Sequence, residues 1–102
     1  MLELRPTCEH CNTALPPESA LAMICSYECT FCAACATGLL GNVCPNCGGG
    51  FVPRPVRPKT NWKHDNFLGK DSASQQVKHR PVDLAGHRRF AAPIAGIPPE
   101  RR

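Results

Sequence analysis

The sequence predicts a small α+β domain followed by a mostly disordered basic tail, and three observations carry that reading. All eight cysteines fall between Cys8 and Cys47, spaced Cys8-x2-Cys11-x13-Cys25-x3-Cys29-x2-Cys32-x2-Cys35-x8-Cys44-x2-Cys47. The large apolar residues of the first half are few: Leu2, Leu4, Leu15, Leu21, Met23, Ile24, Tyr27, Phe31, Leu39, Leu40 and Val43. The chain also changes sign half-way, with a formal charge of −3 over residues 1–50 and +7 over residues 51–102.

Four close cysteine pairs supply the ligands of two closed zinc sites. Structural zinc prefers four sulfur or nitrogen ligands in a tetrahedron, and a Cys-x2-Cys loop points two sulfurs at one metal. The rival is a disulfide scaffold, since cysteine is abundant for a short chain. Met1 to Pro6 contains no apolar run of the kind an export signal needs. The expected compartment is therefore the cytoplasm, where such cysteines are metal ligands more often than disulfides. A core this small rarely holds a fold without staples, and metal that binds only the folded state adds its binding energy to folding.

The expected elements follow in order. Leu2 and Leu4 pack on the domain. A short hairpin occupies about Ala22–Phe31, and one short helix lies near Ala33–Leu40, with Phe31 as a core plug and one of Leu39 and Leu40 exposed. The boundary falls near Gly48-Gly49-Gly50, giving a two-zinc domain at 1–52 and a Pro-rich basic tail at 53–102. Alternating prolines from Pro53 to Pro58 favour extended backbone. In the tail, Ser72 with Gln75 offers a capping box for a helix ending before Pro81, and Asp83–Ala92 offers a second helix weakened by Gly86. Low apolar content favours disorder for most of it.

Two pairings of the eight sulfurs are open. In the sequential one, Cys8, Cys11, Cys25 and Cys29 share a metal, and Cys32, Cys35, Cys44 and Cys47 share the other. In the interleaved one, site one is Cys8, Cys11, Cys32 and Cys35, and site two is Cys25, Cys29, Cys44 and Cys47. The sequential second site encloses only eight residues, Ala36 to Val43, short for a hairpin between knuckles. Loop length mildly favours interleaving.

The segment Cys29-Thr30-Phe31-Cys32-Ala33-Ala34-Cys35 resembles the H-x-F-C-x-x-C run of RING fingers, with Cys29 in the histidine place. Cys44-Pro45-Asn46-Cys47 resembles their closing C-P-x-C. The resemblance implies a cross-brace: the first, second, fifth and sixth ligands on one zinc, the rest on the other. Glu9-His10 in the first knuckle and Gly48 after the last cysteine depart from RINGs that act as ubiquitin ligases, which argues for the scaffold without that chemistry. Met1 to Pro6, Leu15-Pro16-Pro17, Ile24 to Cys35 and Cys44 to Gly49 are also similar to a family of short bacterial proteins catalogued as a domain of unknown function.

The expected function is a non-enzymatic, zinc-binding interaction module, with two zinc ions as cofactors and a protein as partner. Catalytic zinc keeps a position open for water, and no motif here suggests one. One rival is nucleic-acid binding through the tail, where Trp62-Lys63-His64-Asp65-Asn66-Phe67 and His87-Arg88-Arg89-Phe90 mix cations with aromatics. A second is thiol-based redox or zinc-responsive chemistry at Cys25–Cys35. His10 reads as a knuckle residue facing solvent or a sulfur, and His64, His79 and His87 as ordinary tail residues. No membrane association is expected.

Overall fold

The computed structural model describes all 102 residues. Strand β1 (Ala22–Ile24) pairs antiparallel with β2 (Thr30–Cys32), in the register Ala22↔Cys32, Met23↔Phe31 and Ile24↔Thr30. The turn between them is tight, with Glu28 in the left-handed region (φ 67°). Strand β3 (Val52–Pro53) adds to the other edge of β1, giving the order β2-β1-β3. Pro53 is tolerated there because an edge strand need not donate every amide.

The chain then leaves β2 for a short helix, Ala34–Leu39, wound as a wide π-type turn in which Leu40 N donates to Cys35 O across 2.9 Å. It stops at Gly41 and Asn42, both left-handed (φ 57° and 61°). Such wide turns are uncommon and place a side chain where an α-helix would not. Here the turn starts on the cluster residue Cys35, buries Ala36 and Leu40, and leaves Leu39 exposed.

Twelve buried residues form the core, and six of them are cysteines. What remains is Leu15, Ala22, Phe31, Ala36, Leu40 and Phe51. Phe31 does plug the centre, meeting Phe51 edge-to-face at 5.4 Å and 71°. Leu4 is buried against this domain, as expected, and Leu2 partly so.

The tail differs from its expectation of disorder: it is laid along the head and tied to it. Arg54 is buried and donates to the carbonyls of Arg5, Leu15 and Pro16. Arg57 donates to Leu2 O and Asp71 O, and Arg102 to Asn42 O, Gly48 O and Ile97 O. Between these forks, Ser74 N reaches Leu4 O and Arg80 N reaches Glu9 O. Composition misses this because the ties are side-chain and main-chain hydrogen bonds to backbone, which need no apolar periodicity.

Those same bonds explain the fate of the two helix candidates. Around Ser72 and Gln75 no helix forms, because Ser74 spends its amide on the head and its hydroxyl on Gln76 N. The second candidate is realised as α1 (Leu84–Ala91), preceded by Asp83. Gly86 lies under the Asp83 side chain: a Cβ there would come within 2.7 Å of that carboxylate, which makes no side-chain capping bond.

Arg54 supplies the first testable outcome. Burial lowers its guanidinium pKa, yet three carbonyls depend on it. Arg54→Met keeps the bulk and removes the fork. We expect a loss of about 2–3 kcal/mol in denaturant unfolding, the usual worth of hydrogen bonds from a charged donor. An unchanged midpoint would show that water replaces the fork at no cost.

Candidate metal centre

The first knuckle is a closed loop. Asn12 N donates to Cys8 O, Cys8 N donates to Thr13 O, and Asn12 turns left-handed (φ 63°). This aims the Cys8 and Cys11 sulfurs the same way. Strand β2 ends on Cys32, and the helix start carries Cys35, so the two arrive from the opposite side. The sulfurs of Cys8, Cys11, Cys32 and Cys35 lie within 4.8 Å of one another. Cys11 and Cys32 are 3.8 Å apart. Sulfurs bound at ~2.3 Å on a tetrahedral ion are separated by about 3.8 Å, so the set fits a metal tetrahedron.

The last knuckle brings Cys44 and Cys47 to Cys25, again with sulfurs mutually within 4.8 Å. Cys44 N bonds to Gly49 O and Gly48 N to Cys44 O, closing the loop. Gly48 is left-handed (φ 77°), which is why a glycine follows the last cysteine. Cys29, the expected fourth ligand, lies outside that mutual cluster. It follows the left-handed Glu28 in the β1–β2 turn and is buried beside the cluster, where Cys25 N donates to its carbonyl at 3.2 Å.

The electrostatics of the sulfurs suit a cation. Amides of Tyr27, Asn46 and Gly49 point at the sulfurs of Cys25, Cys44 and Cys47 at 3.3–3.4 Å. Cys11 is held down to about 6, chiefly by a hydrogen bond from Thr13, and Cys29 to about 6, chiefly by a hydrogen bond from Cys44. Burial pushes the Cys8, Cys25 and Cys35 thiols up. Cys44 is raised as well, first by its bond to Cys29 and then by burial. The first cluster thus sets a sulfur that favours the thiolate, Cys11, beside the raised thiols of Cys8 and Cys35, and Cys29 stands in the same relation to the neighbouring Cys25 and Cys44; a divalent ion can replace the protons these raised thiols keep.

Around the clusters stands a polar frame that motif reading missed. Glu9 is buried in the first knuckle, where its carboxylate accepts from Thr30 N and, at 2.6 Å, from Arg5 Nη1. Its own amide donates to Thr30 O, so Glu9 bolts the knuckle to β2. For Arg5, burial acts to lower the pKa and Glu9 and Glu3 outweigh it, so the net shift is upward. Glu3 lies 3.6 Å from Arg5 and 3.7 Å from Lys78 of the tail. The one sequence signal was the i, i+4 spacing of Arg5 and Glu9.

The histidines also differ from their expected places. His10 faces neither open solvent nor a sulfur: its Nδ1 accepts from Val82 N at 2.9 Å, and its carbonyl meets His79 Nε2 at 3.1 Å. His87 is buried, with Nε2 2.8 Å from Val43 O. His79 and His87 are therefore fastening points, whereas His64 is exposed. Trp62 is also exposed, and Phe90 partly so.

A family model described as "Protein of unknown function (DUF1272)" matches residues 1–57, which span both cysteine clusters. The chain belongs to this family. Another sequence similar to it, an uncharacterised protein of Rhizobium meliloti (strain 1021), is 62% identical over 63 residues, covering 62% of this chain and 75% of that one. No solved structure matches the chain. The DUF1272 match includes β3 and Arg54, so the family's extent takes in the first arginine fork as well as the knuckles.

Glu9 gives a second expected outcome. Glu9→Gln keeps the shape but leaves Arg5 without its main counter-charge. Breaking one side of a largely buried pair should cost about 2–3 kcal/mol, somewhat below the 3–5 kcal/mol seen for fully buried pairs. Melting of the metal-loaded protein checks this. A glutamine variant as stable as the parent would mean that the Thr30 bond alone suffices.

Proposed function

We propose that this DUF1272 protein is a zinc-binding interaction module of the cytoplasm, with no catalytic role. Its eight cysteines hold two zinc ions in a RING-like cross-brace: Cys8, Cys11, Cys32 and Cys35 on one, Cys25, Cys29, Cys44 and Cys47 on the other. The observation that carries this is the convergence of four sulfurs from two separate segments, the first knuckle and the β2–helix junction, to within 4.8 Å of one another. In the second site Cys29, which lies outside the mutual group of three, completes the shell by turning its sulfur toward their common centre.

The donor set argues for zinc. Four soft thiolates in a tetrahedron suit zinc or iron rather than magnesium or calcium. A full sulfur shell is the structural kind of zinc site, with no ligand position for water or substrate. A four-thiolate zinc centre carries two negative charges. Arg5, Lys78 and Arg80 line, together with Glu9, a cleft of about 330 Å³ beside Cys29; Arg5 is paired with Glu9 and Lys78 lies near Glu3, so Arg80 is the cation there without a carboxylate partner. No helix is long and apolar enough to cross a membrane.

An affinity experiment tests the module reading. Immobilised zinc-loaded full-length chain and its chelated form are exposed to the same cell extract, and retained proteins are quantified. A defined protein recovered stoichiometrically by the loaded form alone is expected. Equal recovery by both forms would defeat the reading. Thiol titration of the loaded protein separates the redox rival, which requires one cysteine that reacts fast while zinc stays bound.

A further inference from the structure

We propose that the loop from Pro58 to Asp71 is a binding platform for single-stranded nucleic acid, with Trp62 as the stacking face and Lys59, Lys63 and Lys70 as phosphate contacts. The inference does not depend on which metal the head takes.

The loop is closed and anchored. Leu68 N donates to Pro58 O at 2.8 Å, and Arg57 ties Asp71 O to Leu2 O of the head. Inside it, Asn61 and Asp65 bond to each other twice, at 2.7 and 3.1 Å. His64 and Asp65 both turn left-handed, which sharpens the tip. The ring of Phe67 lies against Gly69, where no side chain would fit, so Phe67 fills the interior. Trp62 takes no part in this packing. It is the chain's one tryptophan and is 80% exposed.

The charge distribution points the same way. Four of the tail's cations, Arg54, Arg57, Lys78 and Arg102, are spent on the fold. Lys59, Lys63 and Lys70 are exposed and have no side-chain partner, while the Asp65 carboxylate is tied up by Asn61. An indole held outward on a fixed loop, with cations on either side, matches what an unpaired base needs: a flat face to stack on and a cation for the adjoining phosphate. A membrane anchor would need further apolar groups at the tip. Here Thr60, Asn61, His64 and Asn66, exposed residues of the loop near Trp62 in sequence, are polar, and Phe67 and Leu68 are half-buried.

The single tryptophan makes the test direct. Zinc-loaded full-length chain is titrated with a twelve-nucleotide thymidine oligomer while indole emission is followed. Parallel arms use the same length of duplex, vesicles with one-third phosphatidylserine, and poly-glutamate. We expect saturable quenching by the single strand and markedly weaker binding to duplex. The log-log salt dependence should have a slope of about −2, from three phosphate contacts at about −0.7 each. With a labelled oligomer, Trp62→Ala should bind roughly ten- to a hundredfold more weakly, the usual loss of one base–aromatic stack, and Trp62→Phe should retain most of the affinity. Because Trp62 is exposed, an unchanged amide NMR spectrum outside the loop verifies the fold of both variants. Equal binding by Trp62→Ala, equal binding to duplex, or a response to vesicles or poly-glutamate alone overturns the proposal.

Discussion

Removal of the metal by a strong chelator is expected to unfold the head. Half of the twelve core residues are the cysteines themselves, and only Leu15, Phe31, Leu40 and Phe51 among the others are large. Without ions the buried sulfurs either hold protons and pack as small apolar groups, or ionise and repel. Neither would replace a metal held between the first knuckle, β2 and the helix start. Structural zinc in small domains contributes an apparent ~10–16 kcal/mol near neutral pH, more than the whole stability of a typical domain. Amide NMR should collapse to narrow dispersion in excess chelator and recover on adding zinc. The tail should let go with it, because its arginine forks grip carbonyls that only the folded head brings together. A dispersed spectrum in excess chelator would show that the hydrophobic core suffices.

Serine at Cys8 is expected to have the next largest effect, with a particular geography. Cys8 is fully buried, and serine oxygen is a poor neutral ligand for a soft site. Loss of an outer-shell partner alone costs 10–100-fold in metal affinity, so loss of a ligand should exceed about 100-fold. The amides and side chains of Cys32 and Cys35 should shift first, those of Cys25 and Cys44 least. The two knuckles lie on different clusters. Perturbation of Cys25 ahead of Cys32 would reverse the assignment of sulfurs to sites.

The cysteine spacing made much of this readable in advance, because a short knuckle leaves its two sulfurs little freedom and loop length limits the choice of partners. The hairpin and the helix near Ala33–Leu40 were readable for the same reason: they are the chain between closely spaced cysteines. What escaped was everything held by hydrogen bonds to backbone. Nothing in the pattern around Arg54 distinguishes a buried fork from a solvated tail arginine. His87 looks like a surface helix residue until Val43 O is found opposite it. Glu9 looked like a departure from an apolar knuckle and is instead the bolt between knuckle and β2. The tail consequently read as disordered, since hydropathy registers apolar burial and is blind to guanidinium–carbonyl bonds. Cys29 lies outside the mutual cluster of Cys25, Cys44 and Cys47, directly after Glu28, a left-handed residue that carries no turn signature.

Native mass spectrometry of the full chain, purified under reducing conditions without added chelator, tests the central claim most directly. The account predicts one dominant species carrying two zinc ions, with eight sulfurs free of disulfides and all eight alkylatable only after denaturation in chelator. A chain carrying one ion, or none with its cysteines joined in four disulfides, would contradict it.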